Sequence, residues 1–276
     1  MDSIRENRTK EDILAEIRME RAADIYDEKY FILVEGSDDA LFTNKMFQDN
    51  VICLESFAGK SGLMELIAED AALSDNVIGI RDKDYADESS LPERIFLYDH
   101  CCLEMMMLSE PAVAESFFHI YYKGTIPCNA FIANAMRQLS SYSILRRKNE
   151  KESLKINFRK VNFGDLVDFS NESLDDRALF QRAGKSETYD SCRQEAESLD
   201  DTDLWEITNG HDICTFLGRL SKNGKTDMSE TGVRNVLLVS HRKDDFAKTN
   251  LFQSILSYQQ QKHLTFLESS GQRTIS

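Results

Sequence analysis

Proline is scarce in this chain: Pro92, Pro111 and Pro127 are the only three in 276 residues. No Pro-rich linker therefore separates domains, and no internal repeat or low-complexity tract takes its place. The six cysteines, Cys53, Cys101, Cys102, Cys128, Cys192 and Cys214, contain no C-x-x-C pair. They match no zinc or disulfide framework and are expected to be reduced, mostly buried thiols. Long apolar runs are missing as well. The longest charge-free one, Gly124 to Met136, holds thirteen residues, short of the roughly 18 to 20 that span a bilayer. The first thirty residues are dense in charge and have no apolar core segment, so no secretory signal is readable and a cytosolic protein is expected.

What is present fits a folded domain. Hydrophobic residues make up 41% and charged residues 29%, too apolar for a disordered chain, and the length suits one large domain or two small ones. The net charge is −15, which taken alone opposes binding to a polyanion. Its distribution qualifies that. Residues 1–110 hold 11 basic and 26 acidic side chains, whereas residues 111–276 hold 22 of each. Between Lys123 and Lys160 the chain carries Lys123, Arg137, Arg146, Arg147, Lys148, Lys151, Lys155, Arg159 and Lys160 against only Glu150 and Glu152. An acidic first part is thus joined to a basic arm.

Residues 1–110 alternate apolar runs with amphipathic stretches, the pattern of βα units and a mostly parallel sheet. Strands are predicted at Tyr30 to Val34, Val51 to Phe57, Val77 to Ile80 and Arg94 to Leu97. Helices are predicted from Lys10 to Tyr26, capped by Thr9 and buried along Ile13, Leu14, Ile17, Ala22 and Ile25, after Ser37-Asp38-Asp39, from Leu63 to Leu73 with Ala71 on its face, and from His100 to Leu108. After Pro111 the pattern is mostly helical: Ala112 to Tyr122, Pro127 to Leu145, Asn171 to Arg182, Thr188 to Leu199, Ile213 to Leu220, Thr231 to Val239 and Phe246 to Leu264. The expected organisation is an α/β module over 1–110 and a mostly helical part over 111–276.

Ligands of open α/β sheets bind outside the carboxyl ends of the strands, and acids stand there. Glu35, Asp82 and Asp84 each follow a predicted strand. If the first and third strands are neighbours, these carboxylates meet on one rim and repel unless a cation joins them. Oxygen ligands of this kind suit Mg²⁺ or Mn²⁺, with positions left for water and phosphate oxygens. Gly59-Lys60-Ser61 invites a P-loop reading, but the position five residues before the Gly-Lys pair is Leu54, not glycine.

The order of strand, Glu35-Gly36, a second βα unit, then strand and Asp82-x-Asp84 resembles the TOPRIM domain of topoisomerases, primases and OLD nucleases. Asp39, four residues after Glu35, and Gly59-Lys60 fall where OLD-type nucleases carry a second acid and a Gly-Lys. The fragments VEGSDDALF, FAGKSGL, GIRDKDYAD and LYDHCCLEMMML, and more loosely NGHDICTFL, are similar to the TOPRIM-like family of AriB-type effectors in PARIS anti-phage systems. The resemblance covers residues 30 to about 108 and, loosely, Gly210 to Leu217.

That resemblance implies a Rossmann-like TOPRIM fold and a metal-dependent nuclease. It implies Glu35 as general acid/base or metal ligand, Asp82 and Asp84 as ligands, Asp39 and Glu104 as further ligands, and Lys60 against the phosphate. It also implies an ABC-type, AriA-like ATPase that holds the effector until phage is sensed, tRNA or another nucleic acid as substrate, and a homodimer when active. For Arg146-Arg147-Lys148, an RNA-binding face, a dock for an acidic partner and a solvated helix end all stay open. His211-Asp212 reads as a helix cap, and His241 as a phosphate contact or a solvated turn.

Competing readings are weaker on residues. A haloacid-dehalogenase-type phosphatase wants Thr or Val where Ala86 stands, and a receiver domain wants its acid pair where Glu35 stands. A catalytically inactive TOPRIM-fold subunit docking the ATPase is the non-enzyme alternative. Against it, a purely structural module has no need to gather carboxylates on one rim.

Overall fold

The computed structural model describes residues 8–26, 28–69, 74–85, 88–122, 124–161, 163–168, 170–221 and 228–267. Ala71 on a helix face, Ala86 after the Asp pair and Lys123 in the basic arm lie outside them. The chain forms two compact units. The first comprises Met1–Asp82, Asp87–Tyr98 and Arg242–Ser276; the second comprises Lys83–Ala86 and Asp99–His241. The expected boundary near Glu110 falls inside the second unit.

The first unit is built on a parallel four-stranded sheet of β1 (Tyr30–Val34), β2 (Val51–Glu55), β3 (Val77–Arg81) and β4 (Ile95–Leu97), in the order β2-β1-β3-β4. The strands are short apolar runs, and β3 is buried at every position, as a sheet covered on both faces requires. β1 pairs with β2 from Tyr30↔Val51 to Val34↔Glu55 and with β3 from Phe31↔Val77 to Val34↔Ile80. The chain leaves β1 toward β2 on one side, while β3 lies on the other. The crevice beyond the carboxyl ends of β1 and β3 is therefore the point where the winding reverses.

Side chains alternate across a strand, so β1 serves two cores. On one face Phe31 and Leu33 pack with α1 (Lys10–Ala23) and α3 (Gly59–Glu69) through Ile13, Ile17, Leu63, Leu66 and Ile67. A capping box opens α1: the Thr9 hydroxyl accepts from Asp12 N–H at 3.3 Å, and the Asp12 carboxylate accepts from Thr9 N–H at 2.8 Å. The helix stops at Ala23, so Ile25, predicted on its buried face, is 89% exposed, and Ala22 is exposed too. On the opposite face lies α2 (Ser37–Met46), whose buried side is Phe42, Thr43 and Met46, with Leu41 exposed. The last segment of the chain completes this layer. Phe246, at the end of α12 (Lys243–Phe246), lies 5.4 Å from both Phe42 and Phe47, and Tyr258 of α13 (Asn250–Lys262) packs edge-on to Phe96.

Among the described residues, the regular structure of the second unit is helical apart from one small antiparallel strand pair. It contains α4 (Leu103–Ser109), α5 (Pro111–Tyr121), the 25-residue α6 (Cys128–Glu152), the antiparallel pair β5 (Val167–Asp168) and β6 (Ser173–Leu174), and α7 (Asp176–Arg182). Next come α8 (Tyr189–Ala196), α9 (Asp201–Ile207), α10 (Gly210–Leu220) and α11 (Glu230–Ser240). Local polar chemistry sets helix starts that apolar spacing misplaced or missed. Asp175 caps α7 by accepting from Ala178 N–H at 3.0 Å, so the helix predicted from Asn171 begins five residues later. A capping box at Asp200 and Asp203 starts α9, which the predicted Thr188 to Leu199 helix did not anticipate.

All six cysteines are free; Cys101, Cys102, Cys192 and Cys214 are buried and Cys53 and Cys128 partly so. Among the described residues, no helix is long and apolar enough to cross a membrane.

Candidate functional site

At the reversal point of the sheet, β1 delivers Glu35 and β3 delivers Asp82 to the same edge, because β1 and β3 are neighbours in register. The Asp82 N–H donates to Glu35 Oε1 at 3.3 Å. Arg81 closes the group. Its guanidinium, with a side chain only 3% exposed, places Nε 3.6 Å from Glu35 Oε1 and donates from Nε to the Asp82 carbonyl at 2.9 Å. A buried cation thus sits against the carboxylate that the sequence marks first.

Asp39 stands one turn into α2, and its carboxylate accepts from Gly36 N–H at 3.1 Å, which caps that helix. Beside Asp39 and Asp82 lies Tyr98, fully buried after β4, whose hydroxyl makes no regular hydrogen bond among the described residues. Burial first, and then the charges of Asp39 and Asp82, push its phenol well above the usual 10. Burial likewise pushes the nearby Cys53 thiol up to about 12, so it is no nucleophile at neutral pH.

Lys60 follows a turn in which Ser56 N–H donates to the Val34 carbonyl at 2.8 Å and Ser56 Oγ to the Gly59 carbonyl at 2.5 Å. Gly59 takes φ +54°, a conformation that suits glycine, and α3 begins there. The Gly59 to Gly62 segment, predicted as a turn before a helix at Leu63, is instead the first turn of that helix. Lys60 therefore stands near the start of α3, on the edge of the sheet that carries Glu35 and Asp82.

The remaining predicted residues belong to the second unit. Asp84 takes φ 48°, a left-handed conformation that Asp tolerates better than most residues, and its N–H donates to the Cys101 carbonyl at 2.8 Å. Glu104 is buried on α4 with Arg234 Nη1 3.9 Å away. Among the described residues, no three His, Cys, Asp or Glu side chains converge as a metal cage. The carboxylate pair of Glu35 and Asp82 still suits Mg²⁺, which keeps several waters and takes one or two carboxylates.

The basic cluster is engaged by its own unit. Arg146 Nη2 donates to Asp212 Oδ1 at 2.6 Å, while its guanidinium lies 4.3 Å from the Phe158 ring centre. Arg147 and Lys148 both hold Glu195, at 2.5 and 2.9 Å. His211 is more than a cap residue: Asn209 caps α10, and His211 Nδ1 pairs with Glu230 at 2.5 Å. His241, expected at the surface, is fully buried.

Two fragments singled out in the sequence meet here. A Cβ on Gly210, from NGHDICTFL, would sit against the Glu104 carboxylate and 2.6 Å from Cys102 Sγ, both from LYDHCCLEMMML. The spacing of either fragment alone could not show that they touch. Arg81 was also missed; its signal was a charged residue at the end of an otherwise apolar strand.

No family model matches the chain, and no curated protein matches it. The fold itself defines an α/β protein with a parallel four-stranded sheet flanked by helices, compatible with a Rossmann-like architecture.

Proposed function

We propose that this protein is a Mg²⁺- or Mn²⁺-dependent TOPRIM-like nuclease, an effector of PARIS-like anti-phage defence acting on RNA, with tRNA as the favoured substrate. The observation that carries the reading is the meeting of Glu35 and Asp82 at the reversal point of a parallel sheet. Substrate and partners, the ABC-type ATPase and a second copy of the chain, rest on the sequence resemblance.

In this reading Glu35 and Asp82 hold the metal. The resemblance names Asp84 and Glu104 as further ligands; both belong to the second unit, and Glu104 faces Arg234. A bound divalent cation supplies an acidified water or ribose hydroxyl and offsets phosphate charge. Glu35 accepts the proton of the attacking oxygen, and the Asp82 N–H keeps its carboxylate turned toward the strand edge. Lys60, at the start of α3, offers an ammonium to the phosphate where the helix N-terminus also favours negative charge. Asp39, tied to Gly36, keeps the turn after β1 fixed.

One observation favours a second reading. Arg81 beside Glu35 neutralises it without any metal, as it would in an inactive subunit that only docks the ATPase.

Intact protein, Glu35→Gln and Asp82→Asn, incubated with total tRNA and with plasmid DNA in Mg²⁺, Mn²⁺ or EDTA, separate the two. The nuclease reading expects metal-dependent cleavage of tRNA, reduced about 100-fold or more in either variant. Cleavage that persists in both variants would overturn the site. Intact protein that cuts neither polymer, even with a co-purified ATPase added and then removed, would favour the docking subunit.

A further inference from the structure

In the second unit, α6, the segment after it, and the first turns of α10 and α11 enclose a cleft of about 800 Å³. That volume lies within the roughly 300–1,000 Å³ of ordinary small-ligand sites. Its charges are sorted in an informative way. Asp212 is taken by Arg146, and Glu230 by His211, Arg234 and Thr215, the last at 3.5 Å. Two donors remain. Lys160 is exposed and makes no ion pair among the described residues, and the His211 ring has its Nδ1 on Glu230, so Nε2 has no partner among them. The bond to Glu230 raises the His211 pKa, which favours a charged ring that donates from Nε2.

The cleft therefore presents two open cationic donors and carboxylates already satisfied, with the starts of two helices contributing positive potential. Its wall is of another kind: Phe158 and Val161, both part-exposed, with the fixed Arg146 guanidinium stacked on Phe158. Such a wall takes a flat ring, since bases stack on aromatic and guanidinium planes. A bare phosphate would leave most of the volume and the whole wall unused.

We propose that this cleft binds a nucleoside monophosphate, free or as one unpaired nucleotide of a strand, with Lys160 and His211 on the phosphate and the base against Phe158 and Val161. The assignment is independent of the nuclease reading, because no residue of the Glu35 site takes part.

The test is equilibrium dialysis of the full chain in EDTA, so that nothing is cleaved, against AMP, UMP, adenosine, inorganic phosphate and a five-nucleotide RNA. Lys160→Ala removes an exposed side chain that makes no ion pair among the described residues, and His211→Gln keeps the ring's approximate size. Lys151→Ala, an exposed lysine on α6 outside the cleft, controls for net charge. Each cleft variant should weaken nucleotide binding about tenfold, the loss of one charge-assisted hydrogen bond, and Lys151→Ala should not. AMP or UMP should bind more tightly than either adenosine or phosphate. Binding of the RNA but not of AMP and UMP, with the same loss in both variants, would assign the site to a nucleotide within a strand. No binding of any nucleotide or RNA, binding unchanged in both variants, or phosphate binding as tightly as AMP would each overturn the proposal. Failure here leaves the cleavage result for Glu35 untouched.

Discussion

Arg146 and Asp212, 66 positions apart, join α6 to the start of α10 through two hydrogen bonds, one of 2.6 Å, with the carboxylate only 4% exposed. Taking one member of a buried pair away strands a desolvated charge, whereas replacing both with apolar groups often costs little. Asp212→Ala should lower unfolding stability by about 3–5 kcal/mol, and the double variant Arg146→Met with Asp212→Leu by much less. Urea unfolding of the three proteins checks this. Equal losses in single and double variants would show that packing on Phe158, not charge, is the main contribution.

The His211–Glu230 pair should make stability depend on pH in a bounded window. The hydrogen bond to Glu230 raises the His211 pKa above 6.5, and the same bond holds Glu230 below 4.5. A raised histidine stabilises fully below its unfolded pKa and loses that contribution as pH rises through its folded value. A depressed glutamate stabilises above its unfolded pKa and loses its share as pH falls through its folded value. The advantage of the intact protein over His211→Ala should thus be greatest between those limits and shrink on both sides. Because the imidazole is largely exposed, the effect is small. Urea midpoints from about pH 4 to about pH 9 measure it.

Gly210→Ala should be costly although it adds one methyl group. The new Cβ meets the Glu104 carboxylate, which faces Arg234, and the buried Cys102 Sγ. Overpacking of this kind costs about 1–3 kcal/mol. If the loss comes from that contact, Glu104→Ala in the Gly210→Ala background should recover part of it in thermal unfolding.

Metal affinity can be read without any cleavage. A cation bound by Glu35 and Asp82 stabilises only the folded state, so millimolar Mn²⁺ should raise the melting temperature of the intact protein and leave that of Glu35→Gln unmoved. Equal shifts in both proteins would place the ion elsewhere.

How legible all this was depended on the range of the interaction. Tyr30–Val34 stands out as an apolar run between polar turns, and α1 announces its start through Thr9 and Asp12, because strands and caps are decided by residues a few positions apart. Adjacency of β1 and β3 was a condition in the sequence and a fact in the structure. Asp175 and Asp200 were readable in principle, yet apolar spacing carried one predicted helix across Asp175 and, after Leu199, offered none where Asp200 starts α9. The partners of Arg146, His211 and Glu104 lie 66, 19 and 130 positions away, and no period in a single sequence encodes such pairings. The same holds for residues 242–276, which read as part of a helical tail and belong to the sheet unit.

That last assignment bears on the order in which the molecule is made. Phe42, Phe47 and Phe96 leave the ribosome early, whereas Phe246 and Tyr258, which cover them, are translated well over a hundred residues later. During synthesis those three rings, on a face that α2 covers only in part, must wait for their partners while the whole helical unit emerges. The first domain begun is then the last completed, and a chain arrested before residue 242 would carry Glu35 and Asp82 on a sheet with one apolar face only partly sheltered, a natural target for chaperones and proteases.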